Sequence, residues 1–245
     1  VNNLKIIITA YNCEKWIEKC LHSLQCQTYF NFEALIISDA STDNTLRKIL
    51  GTLIKDARFK IISNYKNKKA LANYIEYIPL ICKNDDDIII SLDGDDWFYD
   101  ETVLQKIKDI YDNSDTLITY GQYITLSDLQ NDNIKKGCSK QITDIKQARD
   151  PLFNFSHLKT WKYQLWKKIK TEDFKDISGK ICEVAWDATM MCPMIEMAGL
   201  DRIKYIDDIL YVYNNYNPLN DYKVDEKYQL EVNRYIRSKP TYEKI

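Results

Sequence analysis

The chain has 245 residues, 45% hydrophobic and 29% charged, with a formal net charge of -2 and a pI near 5.8. That is enough chain and apolar content for one α/β domain with a buried core. The near-neutral balance gives no long-range pull toward nucleic acid or an anionic membrane, so no nucleic-acid partner is expected.

The first half alternates strand and helix. Residues 4–9 are a β-branched run, as expected of a strand buried on both faces. Trp16, Ile17, Cys20, Leu21 and Leu24 then fall at helical spacing, predicting a helix over 13–27. Residues 32–38 read as a second strand. Ser41 or Thr42 can cap the helix after it, with Asp43 in the first turn, and for Asp43 a capping role is the favoured reading. Residues 59–62 predict a third strand, 68–82 a helix, and 87–92 a fourth strand ending in Asp93-Gly94-Asp95-Asp96. A helix over 99–113 and a strand over 116–125 follow.

The second half is less regular. Residues 127–143 are polar and aperiodic, which predicts a loop. Residues 157–170 predict an amphipathic, aromatic-rich helix, and 184–199 another, stopped near Gly199. Residues 203–213 suggest two short strands around Asp207-Asp208, and the tail from Asp221 reads as a charged helix. No apolar run approaches the roughly 18–20 residues of a membrane span. No signal-peptide pattern opens the chain, although it starts on Val1 and residues upstream stay open. Seven scattered cysteines without a C-x-x-C pair argue against a disulfide framework or zinc site and for a reducing, cytoplasmic compartment.

Alternating strands and helices imply right-handed βαβ units on a doubly wound, mainly parallel, Rossmann-like sheet with helices on both faces. Ligands of such sheets sit beyond the carboxyl ends of the strands. That rule gathers Thr9-Ala10-Tyr11-Asn12, Ser38-Asp39-Ala40-Ser41 and Asp93-Gly94-Asp95-Asp96 in one place.

The acidic cluster carries the most information. Three carboxylates within four residues repel one another. A hard divalent cation, Mn²⁺ or Mg²⁺, relieves that and shares its shell with substrate phosphates. Gly94 permits close backbone approach. A solvated acidic turn is the plainer reading. Asp39, at a strand end, can accept the N3–H of a uracil or thymine ring. Thr9 and Tyr11 can contact the base by backbone, hydroxyl and ring, or simply pack the strand end.

In this order these segments resemble the family 2 glycosyltransferases of the GT-A fold. The resemblance implies inverting transfer from a nucleotide diphosphate sugar, UDP-sugar first and dTDP-sugar second, to a hydroxyl of a glycan, protein or lipid. It implies one GT-A domain over 1–245, with a nucleotide-sugar part over 1–125 and a helical acceptor-side part over 126–245. Thr9, Ala10, Tyr11, Asn12, Asp39 and Ser41 would hold the nucleoside. Asp93 and Gly94 would lie by the ribose and metal shell. Asp95 would be the main metal ligand, with Asp96 the alternative if the register shifts by one.

The sequence departs from the family pattern in two places. Asp39-Ala40-Ser41 stands where Asp-Gly-Ser is usual. Asn67-Lys68-Lys69 stands where many members carry Arg and Gly, leaving either Lys68 or Lys69 to meet the diphosphate.

Inversion also needs a carboxylate to take the acceptor's proton. In the segment resembling the family's acidic base motif, Asp187 is the first choice and Glu183 the second; each could equally be an ordinary N-terminal helix acid. His157 could serve the metal or diphosphate, or be a packed histidine. The aromatic and amide-rich stretch 211–221 suits an acceptor or lid surface, or a plain Asn-Pro turn. A non-catalytic nucleotide-sugar-binding module is the alternative class. A nucleotidyltransferase is weaker, because no glycine-rich loop follows the first strand. Oligomeric state is not legible.

Overall fold

The computed structural model describes residues 4–153, 155–220, 223 and 226–245. Four strands rise as expected: β1 (Leu4–Ala10), β2 (Phe32–Ser38), β3 (Phe59–Ser63) and β4 (Ile88–Asp93). Between them run α1 (Ile17–Gln25), α2 (Thr45–Thr52) and α3 (Ala70–Ile81). After β4 come β5 (Trp97–Phe98), α4 (Val103–Asp112), β6 (Ile118–Thr125) and α5 (Leu126–Gln130). The chain continues through β7 (Ser156–Lys162), α6 (Tyr163–Trp166), α7 (Trp186–Ala198), β8 (Ile203–Tyr213) and α8 (Glu226–Arg237).

One eight-stranded sheet runs β3-β2-β1-β4-β7-β6-β8-β5. It is parallel from β3 through β4 and turns antiparallel where β7 enters between β4 and β6. Alternate residues of β1 serve two cores. Ile6 and Ile8 pack with α1, α2 and α4, while Ile7 packs with α3, α6 and α7. Helices therefore cover both faces of the sheet, the mixed α/β arrangement of the GT-A fold.

Four expectations are corrected. Residues 156–162 are a strand, not the start of a helix. β7 lies between two other strands, so Leu158, Lys159, Thr160 and Trp161 are all buried. A strand buried on both faces loses its period-2 signature. Leu158, Trp161 and Leu165 then mimic helical spacing, and only a one-turn helix follows.

The two short strands expected around Asp207-Asp208 are one strand. Its register jumps from Gly121↔Ile206 to Gln122↔Ile209, leaving those two aspartates as an exposed bulge. The loop expected from 127 opens as α5, where Thr125 accepts a hydrogen bond from the Asp128 N–H. Neither Ser41 nor Thr42 caps α2. The Asp43 carboxylate instead accepts from the Thr45 N–H at 2.9 Å and the Glu14 N–H at 3.1 Å. The charged tail is helical over α8; Asp221, where it was expected to begin, lies outside the described residues.

Among the described residues no helix is long and apolar enough to cross a membrane. Cys26 and Cys138 are exposed, and the other five cysteines are buried and unbridged.

Candidate active site

The carboxyl ends of β1, β2 and β4 open into a cavity of about 270 Å³. Thr9, Ala10, Tyr11, Asp39, Asp93, Asp95 and Asp96 line it from this side. Lys69 stands on the rim, and His157, Lys159, Trp186, Asp187, Tyr213 and Asn217 close it from the other half of the chain.

The β1 and β2 loops are tied together. The Asn12 N–H donates to Ser41 Oγ at 3.2 Å, and Asn12 Oδ1 accepts from the Thr42 N–H at 2.8 Å. Asn12 and Ser41 thus clamp the loops and do not themselves line the cavity. Asp39 is 3% exposed and receives three donors: Asn64 Nδ2 at 2.7 Å, the Lys68 N–H at 3.0 Å and the Lys69 N–H at 2.9 Å. The Lys68 N–H is shared between both carboxylate oxygens, 3.0 Å from each, so two donor contacts fall on each oxygen and the roughly four acceptor sites of the carboxylate are engaged.

Lys68 and Lys69 part company here. Lys68 Nζ is held by Glu76 at 2.6 Å and Tyr77 at 3.2 Å. Lys69 reaches the cavity and makes no ion pair among the described residues.

Four non-glycine residues around the cavity hold left-handed backbone: Asn12, Ala40, Lys69 and Ala185, at φ 46°, 58°, 67° and 50°. Strain of this kind concentrates at functional sites. At Ala40 it also gives a physical reason for the glycine usual at that position. Ala40→Gly is expected to raise unfolding free energy by about 0.5–1 kcal/mol, read as a higher urea midpoint at unchanged slope.

The acidic turn depends on Gly94. A Cβ there would meet Ala10 Cβ at 2.8 Å and Thr9 O at 3.0 Å, and the Gly94 N–H donates to Thr9 O at 2.8 Å. The two carboxylates that follow β4, Asp95 and Asp96, differ. Asp96 is buried and tied to the end of β8, accepting from Tyr211 Oη and the Asn214 N–H, both at 2.7 Å. Burial, then the charges of Asp95 and Asp93, push its pKa well above the carboxylate range. Asp95 faces the cavity and accepts from Asn217 Nδ2 at 2.7 Å; burial raises its pKa too. Neither makes an ion pair among the described residues.

His157 stacks on Tyr211 with centroids 4.3 Å apart and planes at 11°. Its Nδ1 is buried without a hydrogen-bond partner. Burial, then the Lys159 charge, holds the imidazole pKa well below 6.5. The unfolded chain therefore takes up a proton below about pH 6.5 that the folded chain refuses, and stability falls as pH falls through that value. His157→Phe should flatten this part of the profile, measured as thermal unfolding between pH 7.5 and 5.5.

Lys159, two residues on, is the functional candidate the sequence reading missed. It is 2% exposed, with Nζ 3.5 Å from Asp187 Oδ2 and 5.4 Å from the Trp186 ring. Its strand was read as helix, which hid that it shares a face with His157. Asp187 lies in the first turn of α7, its Oδ1 accepting from the Ala188 N–H at 2.8 Å. Glu183 is exposed and does not line the cavity.

Among the described residues no group of three His, Cys, Asp or Glu side chains is disposed to hold a metal alone. The lining still suits a cation that takes few protein ligands and shares its shell with phosphate oxygens and water. Asp95 makes no ion pair among the described residues, and His157, whose Nδ1 is buried without a hydrogen-bond partner, lines the same cavity.

The mainly parallel sheet covered by helices on both faces, with an acidic turn at the end of β4, has the architecture of the GT-A fold. The profile of Glycosyl transferase family 2 matches residues 5–180, and the chain belongs to that family. It is 26% identical over 179 residues to the UDP-Glc:α-D-GlcNAc-diphosphoundecaprenol β-1,3-glucosyltransferase WfgD of Escherichia coli, covering 68% of this chain and 69% of that one. A shorter match, 42% over 64 residues, to an uncharacterised glycosyltransferase of Haemophilus influenzae covers 26% of this chain. The chain spans only 20% of that relative's length. In structure it is similar to S. aureus TarS 1–349 in complex with UDP-GlcNAc, with TM-score 0.64 and 17% identity, covering 88% of this chain and 59% of that one.

Proposed function

We propose that the chain is an inverting, metal-dependent glycosyltransferase that moves a sugar from a UDP-sugar to an acceptor hydroxyl. One observation carries the reading. Asp39, Lys69, Asp95 and Asp187, from four separate stretches of sequence, line a single cavity at the strand ends. The relatives' donors, UDP-Glc for WfgD and UDP-GlcNAc bound to TarS, support uridine over thymidine. Residues 1–125 would form the donor side and 126–245 the acceptor side.

In this reading Tyr11 stacks on the base and Asp39 takes the uracil N3–H, the shared Lys68 N–H withdrawing to one carboxylate oxygen to make room for it. Lys69 meets the diphosphate. Asp95, with Asp93 and His157, would hold Mn²⁺ or Mg²⁺, which would supply positive charge for the departing diphosphate. Asp96 is committed to Tyr211 and Asn214, which favours Asp95 as the main ligand. Asp187 accepts the proton of the acceptor hydroxyl as that oxygen bonds to the anomeric carbon. The anomeric carbon–phosphate oxygen bond breaks on the opposite face, giving an inverted glycoside and UDP. Lys159 holds the Asp187 carboxylate against the cavity wall.

A thermal-shift panel of nucleotide sugars with and without Mn²⁺ tests this. A UDP-sugar should raise the melting temperature, and more so with Mn²⁺, since a ligand of the folded state stabilises by mass action. Indifference to every nucleotide sugar would sink the reading.

A further inference from the structure

The stretch after β8, Asn214-Asn215-Tyr216-Asn217-Pro218-Leu219-Asn220, reads from the sequence as either a sugar-facing surface or a turn. The structure gives each of its four asparagines a partner inside the protein. The Asn214 N–H donates to Asp96 Oδ1 at 2.7 Å, and Asn214 Oδ1 accepts from the Tyr216 N–H at 3.1 Å. Asn215 holds α5 through Ser127, with which it makes two hydrogen bonds of 3.1 and 2.8 Å. Asn220 Nδ2 donates to the Asn214 carbonyl at 3.1 Å. Asn217 differs from the others: its side chain reaches the open carboxylate of the acidic turn, Nδ2 donating to Asp95 Oδ2 at 2.7 Å.

The backbone holds Asn217 ready for that bond. Pro218 has no N–H to give to the turn, and Asn217 Oδ1 accepts from the Leu219 N–H at 3.0 Å, an Asx turn. With its oxygen engaged there, the amide can only turn its nitrogen toward Asp95. Lys223 Nζ fixes the main chain of the same turn, donating to the carbonyls of Asn215 at 2.6 Å and Asn217 at 3.0 Å. Asn217 is 6% exposed and lines the donor cavity beside Asp95. It is also the only side-chain hydrogen-bond partner of Asp95 among the described residues. The chemistry of the donor matters. A neutral amide fixes the rotation of the carboxylate while using one of its roughly four acceptor sites, and it brings no positive charge to repel a cation.

We propose that Asn217 is a positioning residue for the cation: it sets the Asp95 carboxylate, and through it the turn over 214–220 senses whether the metal is bound. The inference rests on the metal site of the proposed function. Partners of metal ligands fix the ligand's orientation. Linkage then makes the effect reciprocal: whatever the Asn217 bond adds to cation affinity, the cation returns to the stability of that bond and of the turn that carries it.

Mn²⁺ titration of the full chain in the presence of UDP tests this, followed by the electron paramagnetic resonance signal of the free ion and corrected for Mn²⁺ held by UDP alone. Asn217→Ala should weaken Mn²⁺ binding roughly ten- to a hundredfold. Asn215→Ala loosens the same turn from Ser127 and leaves the Asp95 bond in place, so it should change the affinity by less than about twofold. A second experiment needs no variant. Adding Mn²⁺ to the UDP-bound wild type should slow amide hydrogen exchange over 214–220 by about tenfold or more. Three results overturn the assignment: wild-type Mn²⁺ affinity in Asn217→Ala, an equal loss in Asn215→Ala, or exchange over 214–220 indifferent to Mn²⁺. The exchange result decides even where Asn217→Ala does not fold. A wild type that binds UDP but no Mn²⁺ would instead bring down the metal site itself, and this inference with it.

Discussion

Asp95→Ala is expected to reduce sugar transfer by about a thousandfold or more and to remove the Mn²⁺-dependent part of the nucleotide-induced melting shift. The same change should leave the ligand-free protein as stable as before, or more so. The reason lies in the local electrostatics. Asp95 has one described hydrogen bond, from Asn217, and burial raises its pKa. Folding therefore opposes its charge, and deleting the carboxylate relieves that as well as its repulsion of Asp96. A structural aspartate would behave the opposite way, losing stability and activity together. Melting temperature without ligand, measured beside initial rates, separates the two.

Asp187→Asn should lower kcat by roughly 10²–10⁴-fold, the usual worth of a general base, with the donor KM close to wild type. The amide keeps the shape of the side chain and the bond that Oδ1 accepts from the Ala188 N–H; what it loses is the ability to take a proton. A rise in donor KM at unchanged kcat would instead make Asp187 a binding group. Lys159 adds a diagnostic. Its ammonium is buried beside Asp187, so the neutral amide leaves a buried cation with a weaker partner, and the variant should melt somewhat below wild type.

The donor half of the fold was legible because its strands are continuous apolar runs. Residues such as Ile6, Ile7 and Ile8 are buried whichever face they point to, and acidic or polar punctuation marks each strand's end. The rule that ligands gather beyond those ends then brought Thr9, Asp39 and Asp93 together without any structure. The same property misled at β7, where full burial of residues 158–161 erased the period-2 pattern and the apolar spacing imitated a helix. Lys159 was lost with it.

Other features were illegible for a different reason. The bonds that commit Asp96 to the end of β8 join residues 115 and 118 positions apart, and no local pattern encodes them. The choice between Asp95 and Asp96 was therefore open in the sequence. So was the choice between Lys68 and Lys69, which turns on whether Glu76, eight residues along, captures the first ammonium.

The most direct measurement is a crystal of the full chain soaked with Mn²⁺ and UDP, recorded at the manganese absorption edge. The account predicts an anomalous peak bonded to a carboxylate oxygen of Asp95 and to the diphosphate, with the uracil against Tyr11 and Asp39. Nucleotide bound elsewhere, or an anomalous map without a peak at the end of β4, would contradict it.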